Sequence, residues 1–148
     1  MQTPPINILL ADDDENDRMI FQEAFEEIKI KTSIHTVNNG IQLMEYLKTK
    51  NTNLPDILFL DLNMPRKNGL ECLREIRNDK KLNDISIAIY STSASEKDIE
   101  ETFRLGANVY INKPTDFAIL KQALAKAIVT AYQFQNKPFN KENFLLRI

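Results

Sequence analysis

Cysteine is almost missing from this chain: Cys72 is the only one in 148 residues. That excludes an intrachain disulfide framework and a cysteine-based zinc site, and it makes a cytoplasmic address the default expectation. Glycine and proline are also scarce, at three and six residues, and no repeat, low-complexity tract or linker interrupts the sequence. No run of about eighteen apolar residues exists, so no membrane span is expected. The opening MQTPPIN lacks the charged start and apolar stretch of a signal peptide, so export is not expected either. An excess of one charge is missing too: the formal net charge is −2 and the pI about 5.5, which encodes no general attraction to nucleic acid or an anionic membrane. Neither a P-loop nor a glycine-rich dinucleotide turn follows the first apolar run. The segment found there, ADDDEND, repels a bare phosphate.

What remains is 43% hydrophobic and 27% charged, the composition of one soluble globular domain long enough to bury a core unaided. Five short runs of β type alternate with five segments of helical period, which predicts an α/β fold with a parallel sheet covered on both faces. The runs are Ile6 to Ala11, Thr32 to Val37, Asp56 to Leu60, Ile85 to Ser91 and Asn108 to Asn112. Between them Ile20, Phe21, Ala24, Phe25 and Ile28 form one helical stripe, Leu43, Met44 and Leu47 a second, and Leu70, Leu73 and Ile76 a third. Asn39-Gly40 reads as a turn before the second helix, Ser95 to Asp98 as a capping box, and Gly106 as a left-handed helix stop. Asp116, or Thr115 before it, caps a fifth helix running to about Ala131.

In a sheet wound from parallel strands every carboxyl end lies on one edge, and ligand sites form there. Asp12 and Asp13 follow the first run, Asp61 the third, Ser91 ends the fourth and Lys113 follows the fifth. Three crowded carboxylates repel one another unless a cation sits among them, and an all-oxygen set suits a hard divalent ion, Mg²⁺ or Mn²⁺. A metal, an ammonium and a hydroxyl around one carboxylate would neutralise a tetrahedral anion attached to it. Asp61 is therefore a candidate nucleophile toward phosphorus. The acidic run is three long; the pair directly after the strand is preferred, which leaves Asp14 as a helix cap. Pro114 restricts Lys113 to extended backbone and leaves cis or trans open.

The motifs ILLADDD, LFLDLNMPRKNG, IYSTS and LGANVYINKP, in this order and spacing, resemble the receiver domain of bacterial two-component signalling from about Ile6 to Ala131. That resemblance implies a doubly wound (βα)5 flavodoxin-like fold with strand order 2-1-3-4-5. It implies that Asp61 is the phosphoacceptor, supplied by a sensor histidine kinase. Asp13, Asp61 and the main-chain carbonyl of Asn63 would hold Mg²⁺, with Asp12 acting through a water or by orienting its neighbour. Ser91 matches the family's switch hydroxyl, Tyr110 its switch aromatic and Lys113 its phosphate-binding lysine. On phosphorylation the hydroxyl would be drawn toward the phosphoryl oxygen and the ring turned inward. The stretch STSASEKDI and the tail also resemble stand-alone regulators that serve phytochrome-type kinases.

The division expected is a receiver over residues 1–134 and an extension over 135–148. The short tail leaves no room for a DNA-binding domain, so output through an unidentified partner protein is expected, without direct DNA binding. Phe134, Phe139, Phe144, Leu145, Leu146 and Ile148 are too apolar for a disordered tail; they fold back or dock on a partner or a second copy, giving a homodimer. His35 and Cys72 read as structural, the thiol as a small packed group. Two rivals stand beside the main reading. An aspartate-dependent phosphatase of the haloacid-dehalogenase type needs an acid two places after the nucleophile, where Asn63 cannot transfer a proton. A non-phosphorylated module would keep the fold and dispense with the chemistry.

Overall fold

The computed structural model describes residues 4–49 and 53–133. Five strands and five helices alternate: β1 Ile6–Ala11, α1 Glu15–Glu27, β2 Thr32–Val37, α2 Gly40–Lys48, β3 Ile57–Leu60, α3 Gly69–Arg77, β4 Ser86–Ser91, α4 Glu96–Arg104, β5 Val109–Asn112 and α5 Phe117–Gln133. All strand pairs are parallel, in the order β2-β1-β3-β4-β5. This is the doubly wound, flavodoxin-like arrangement that the alternation and the resemblance implied.

Strand alternation divides the core in two. Leu9, Ala11, Leu58, Leu60, Ile87, Ile89 and Tyr110 face α2 and α3, with Ile99 and Phe103 of α4 packed against them. Ile8, Leu10, Ile57, Phe59, Ala88, Tyr90, Val109 and Ile111 face α1 and α5. On that second side Phe21, Phe25, Phe59 and Tyr90 interlock, the Phe21 ring 5.0 Å from both Phe25 and Phe59, in tilted and edge-on geometries favoured by the ring quadrupole. All four residues of β3 are buried, which explains its unbroken apolar run.

Several boundaries differ from the sequence reading. β3, β4 and β5 each begin one residue later than expected. Asp56 is instead a bracket, its N–H donating to the Asn7 carbonyl and its carboxylate accepting from the Asn7 N–H, both at 2.8 Å. Asn39-Gly40 lies at the start of the second helix, as expected: Asn39 caps α2, accepting from the Gln42 N–H, and Gly40 is already its first residue. The expected capping box on α4 is half present. Ser95 accepts from the Asp98 N–H, but the Ser95 N–H donates to Ser93 Oγ at 3.3 Å, and the Asp98 carboxylate accepts from the Ser93 hydroxyl at 2.6 Å instead. A complete box occurs at α3, between Asn68 and Glu71. Asp116, not Thr115, caps α5 through the Ile119 N–H, and that helix runs two residues further than expected. Gly106 adopts φ 96° after α4, as its stop required. No cis peptide occurs among the described residues, so Lys113-Pro114 is trans.

The expectations about the extension and a homodimer fall on residues 134–148, outside the described residues. No helix among the described residues is long and apolar enough to cross a membrane.

Candidate functional site

Sheet register builds the site. Ala11 pairs with Leu60 and Leu60 with Ile89, so the residues that follow emerge side by side. The Asp61 N–H donates to the Ala11 carbonyl at 3.0 Å, and the Asp12 N–H to the Val37 carbonyl at 3.1 Å. Carboxylate oxygens of Asp12, Asp13 and Asp61 all lie within 4.8 Å of one another. Asp12 is fully buried, Asp61 is 5% exposed, and Asp13 faces solvent.

Local hydrogen bonds orient the group. Asp12 Oδ1 accepts from the Asp14 N–H at 3.0 Å, and its carbonyl from Arg18 Nη1 at 2.8 Å. Asp14 caps α1 through the Asp17 N–H, the role expected for it. Asp61 Oδ1 accepts from the Asn63 N–H at 3.3 Å. From the far side of the sheet edge Lys113 Nζ reaches Asp12 Oδ2 at 2.8 Å, Asp17 Oδ2 at 2.9 Å and Asp61 Oδ2 at 3.5 Å. The same ammonium lies 5.1 Å from the centre of the Tyr90 ring.

Burial and crowding set the protonation. Burial pushes the Asp61 carboxyl up to about 6; Lys113 pulls it back down and the Asp12 charge adds to the rise. Asp12 is raised too, chiefly by burial, against its bonds to Lys113 and Asp14. Burial alone would lower the Lys113 ammonium, but hydrogen bonds to Asp12 and Asp17 outweigh it and hold the proton firmly. Among the described residues, carboxylates thus outnumber the one ammonium in contact with them. A hard divalent cation fits this donor set: anionic oxygens that converge, two of them buried and one reachable from water.

The remaining predicted residues lie at the same edge. Ser91 is buried at the end of β4; its Oγ accepts from the Ser93 N–H at 3.1 Å, and its carbonyl from the Lys113 N–H at 2.8 Å. Tyr110 is fully buried, its hydroxyl donating to the Ser93 carbonyl at 2.8 Å, and burial raises its pKa against hydrogen bonds with Ser93 and Ser91. Its ring already occupies the inward position here.

His35 stays apart, on edge strand β2, stacked on Tyr46 with centroids 4.4 Å apart and planes 17° from parallel. Cys72 is buried in α3 and its thiol is pushed up to about 11 by burial; both fit structural roles. Sequence reasoning missed Asp17 and Arg18. Its place in the first turn of α1, three residues after the Asp14 cap and so beside the acidic edge, was the available signal for the acid.

A parallel sheet of this order, with converging aspartates after β1 and β3 and a lysine after β5, defines a receiver. Residues 8–125 match the response regulator receiver domain, and the chain belongs to that family. Response regulator Rcp1 of Synechocystis is 32% identical over 114 residues, covering 74% of this chain and 78% of that protein. Among solved structures, the phosphorylated cyanobacterial phytochrome response regulator RcpA superposes with a TM-score of 0.78 at 34% identity, covering 88% of this chain and 95% of that one. The Mn²⁺-bound form of Rcp1 gives 0.75 at 26% identity, covering 92% and 99%.

Proposed function

We propose that this chain is a single-domain response regulator whose Asp61 accepts a phosphoryl group from a sensor histidine kinase and that signals through protein–protein contacts. The observation that carries this reading is the placement of Asp61: a buried carboxylate with Lys113 Nζ at 3.5 Å and two further carboxylates within 4.8 Å. Asp12, Asp13, Asp61 and the main-chain carbonyl of Asn63 would hold Mg²⁺ or Mn²⁺, which when bound supplies positive charge to the oxygens of the transferring group. An Asp61 oxygen attacks phosphorus, the bond from phosphorus to the donor nitrogen breaks, and its electron pair stays with the donor imidazole. The attacking carboxylate must be ionised, which a pKa of about 6 permits at neutral pH. Lys113 and the Ser91 hydroxyl then bind phosphoryl oxygens.

Tyr110 and Ser91 form the switch in this reading. Ser91 Oγ now accepts from the Ser93 N–H, while Tyr110 holds the Ser93 carbonyl. A phosphoryl oxygen that recruits the Ser91 hydroxyl as donor therefore acts on the loop Tyr110 ties down, and through it on the surface of α4, β5 and α5. Support for a phytochrome-type kinase as donor comes from the likeness to RcpA.

Incubation with acetyl phosphate and Mg²⁺, read by intact mass, tests the core of the proposal. One phosphoryl group should add to the parent and none to Asp61→Asn. A parent that stays unlabelled would favour the non-phosphorylated interaction module instead.

A further inference from the structure

The ammonium of Lys113 has three N–H donors and three carboxylates around it, but these acceptors are not equivalent. Asp12 and Asp61 belong to the cluster whose oxygens a cation and a phosphoryl group would engage. Asp17 stands outside that cluster, in the first turn of α1, and still approaches Nζ to 2.9 Å. Its position is itself fixed: the Asp17 N–H donates to the Asp14 cap at 3.1 Å, so the start of α1 and the carboxylate that meets Lys113 move as one piece.

We infer that Asp17 is a positioning residue for Lys113, anchoring the ammonium beside Asp61 while the other two carboxylates change partners. The inference rests on the proposed function above and adds a residue to it. Lys113 carries a flexible four-carbon stem; Pro114 and its backbone bond to Ser91 restrain its main chain, and the Tyr90 ring flanks the ammonium without offering it a carboxylate. With Asp12 and Asp61 engaged elsewhere, Asp17 is the one of the three acceptors left to keep Nζ in place. The same anchor limits how far the lysine collapses onto Asp61, which would compete with the cation for that carboxylate. Asp17 is one-third exposed, so its own removal leaves the core packing untouched.

Two readouts test this. In the protein saturated with Mg²⁺ but without a phosphoryl donor, where Asp12 and Asp61 are engaged by the cation, the Lys113 ammonium should give a nitrogen-detected NMR signal protected from solvent exchange. Asp17→Ala should broaden that signal beyond detection, and Asp17→Glu, with the carboxylate kept on a longer stem, should restore it. In the second readout, phosphorylation by acetyl phosphate should slow by about tenfold in Asp17→Ala, less than about threefold in Asp17→Glu, and less than about twofold when Asp17→Ala is added to Lys113→Met. Thermal unfolding of each variant separates lost positioning from lost fold. An unchanged Lys113 signal in Asp17→Ala, or losses from Asp17→Ala and Lys113→Met that simply multiply, would overturn the role of Asp17. A parent that shows the Lys113 signal but takes no phosphoryl group would instead overturn the proposed function, and with it the reaction for which Asp17 positions the lysine.

Discussion

Gly69 is pressed against the backbone of Asp61: a Cβ on Gly69 would run into the Asp61 carbonyl oxygen and lie 2.8 Å from the Leu62 Cα. The Gly69 N–H also donates to the Leu62 carbonyl at 3.0 Å, so the first residue of α3 is bolted to the chain leaving β3. Neither obstructing atom is on a side chain that can rotate away. Gly69→Ala should therefore cost about 2–4 kcal/mol in urea unfolding and slow labelling of Asp61, because the backbone that must shift is the one carrying the acceptor. Near-parental values for both would show that α3 is free to slide.

The charge on Asp61 should weaken the metal-free protein. Its carboxyl is raised from an ordinary 3.8 to about 6 in the fold, so between those values the native state binds more protons than the unfolded chain. Stability then falls as pH rises through this window, and a penalty of at most about 3 kcal/mol persists at neutral pH. Asp61→Asn removes it. In chelator at pH 7 that variant should be more stable than the parent by about 1–3 kcal/mol, with the gain fading below about pH 4. A less stable Asp61→Asn protein at pH 7 would contradict the argument.

Added Mg²⁺ should raise the melting temperature of the parent, since a ligand at about a hundredfold over its dissociation constant stabilises by about 2.7 kcal/mol. Asp13 is the exposed member of the cluster and packs no core. Asp13→Asn should leave the melt in chelator close to that of the parent while cutting the Mg²⁺-induced rise by more than half. Equal rises in both proteins would remove Asp13 from the ligand set.

At the opposite end of the strands Asn108 Oδ1 accepts from Arg77 Nη2 at 2.9 Å and from the Ile87 N–H at 2.7 Å. The same guanidinium donates to the carbonyls of Asn83, Ile85 and Gly106, tying the ends of α3 and α4 to the start of β4. Asn108→Ala strands the buried Ile87 N–H and the half-buried Arg77 Nη2 and should cost about 2–4 kcal/mol. Labelling of Asp61 should change little, because the damage lies at the far edge of the sheet. A labelling defect as large as that of Gly69→Ala would show that the two edges are coupled.

The strands and helices were legible because burial imposes a period on the sequence, and the unbroken ILFL of β3 announced a strand covered on both faces. Asp12, Asp13, Asp61, Ser91 and Lys113 were legible for a related reason: in a parallel sheet, position after a strand is position on one edge. Local chemistry was less dependable. Asp98 prefers the Ser93 hydroxyl to the reciprocal half of its capping box, since the outcome depends on which groups the loop brings near.

Sequence alone determined which residues are buried, which edge carries the acid and which side chain stands at the end of each strand, because these follow from alternation and chain direction. Only the tertiary structure decided that Lys113 divides its ammonium among Asp12, Asp17 and Asp61, that Tyr110 sits inward on the Ser93 carbonyl, and that Arg77 gathers the ends of α3 and α4. Those relations join residues far apart in the chain through distances of a few ångströms. No local pattern records them, because they exist only once the sheet has closed and its helices have packed.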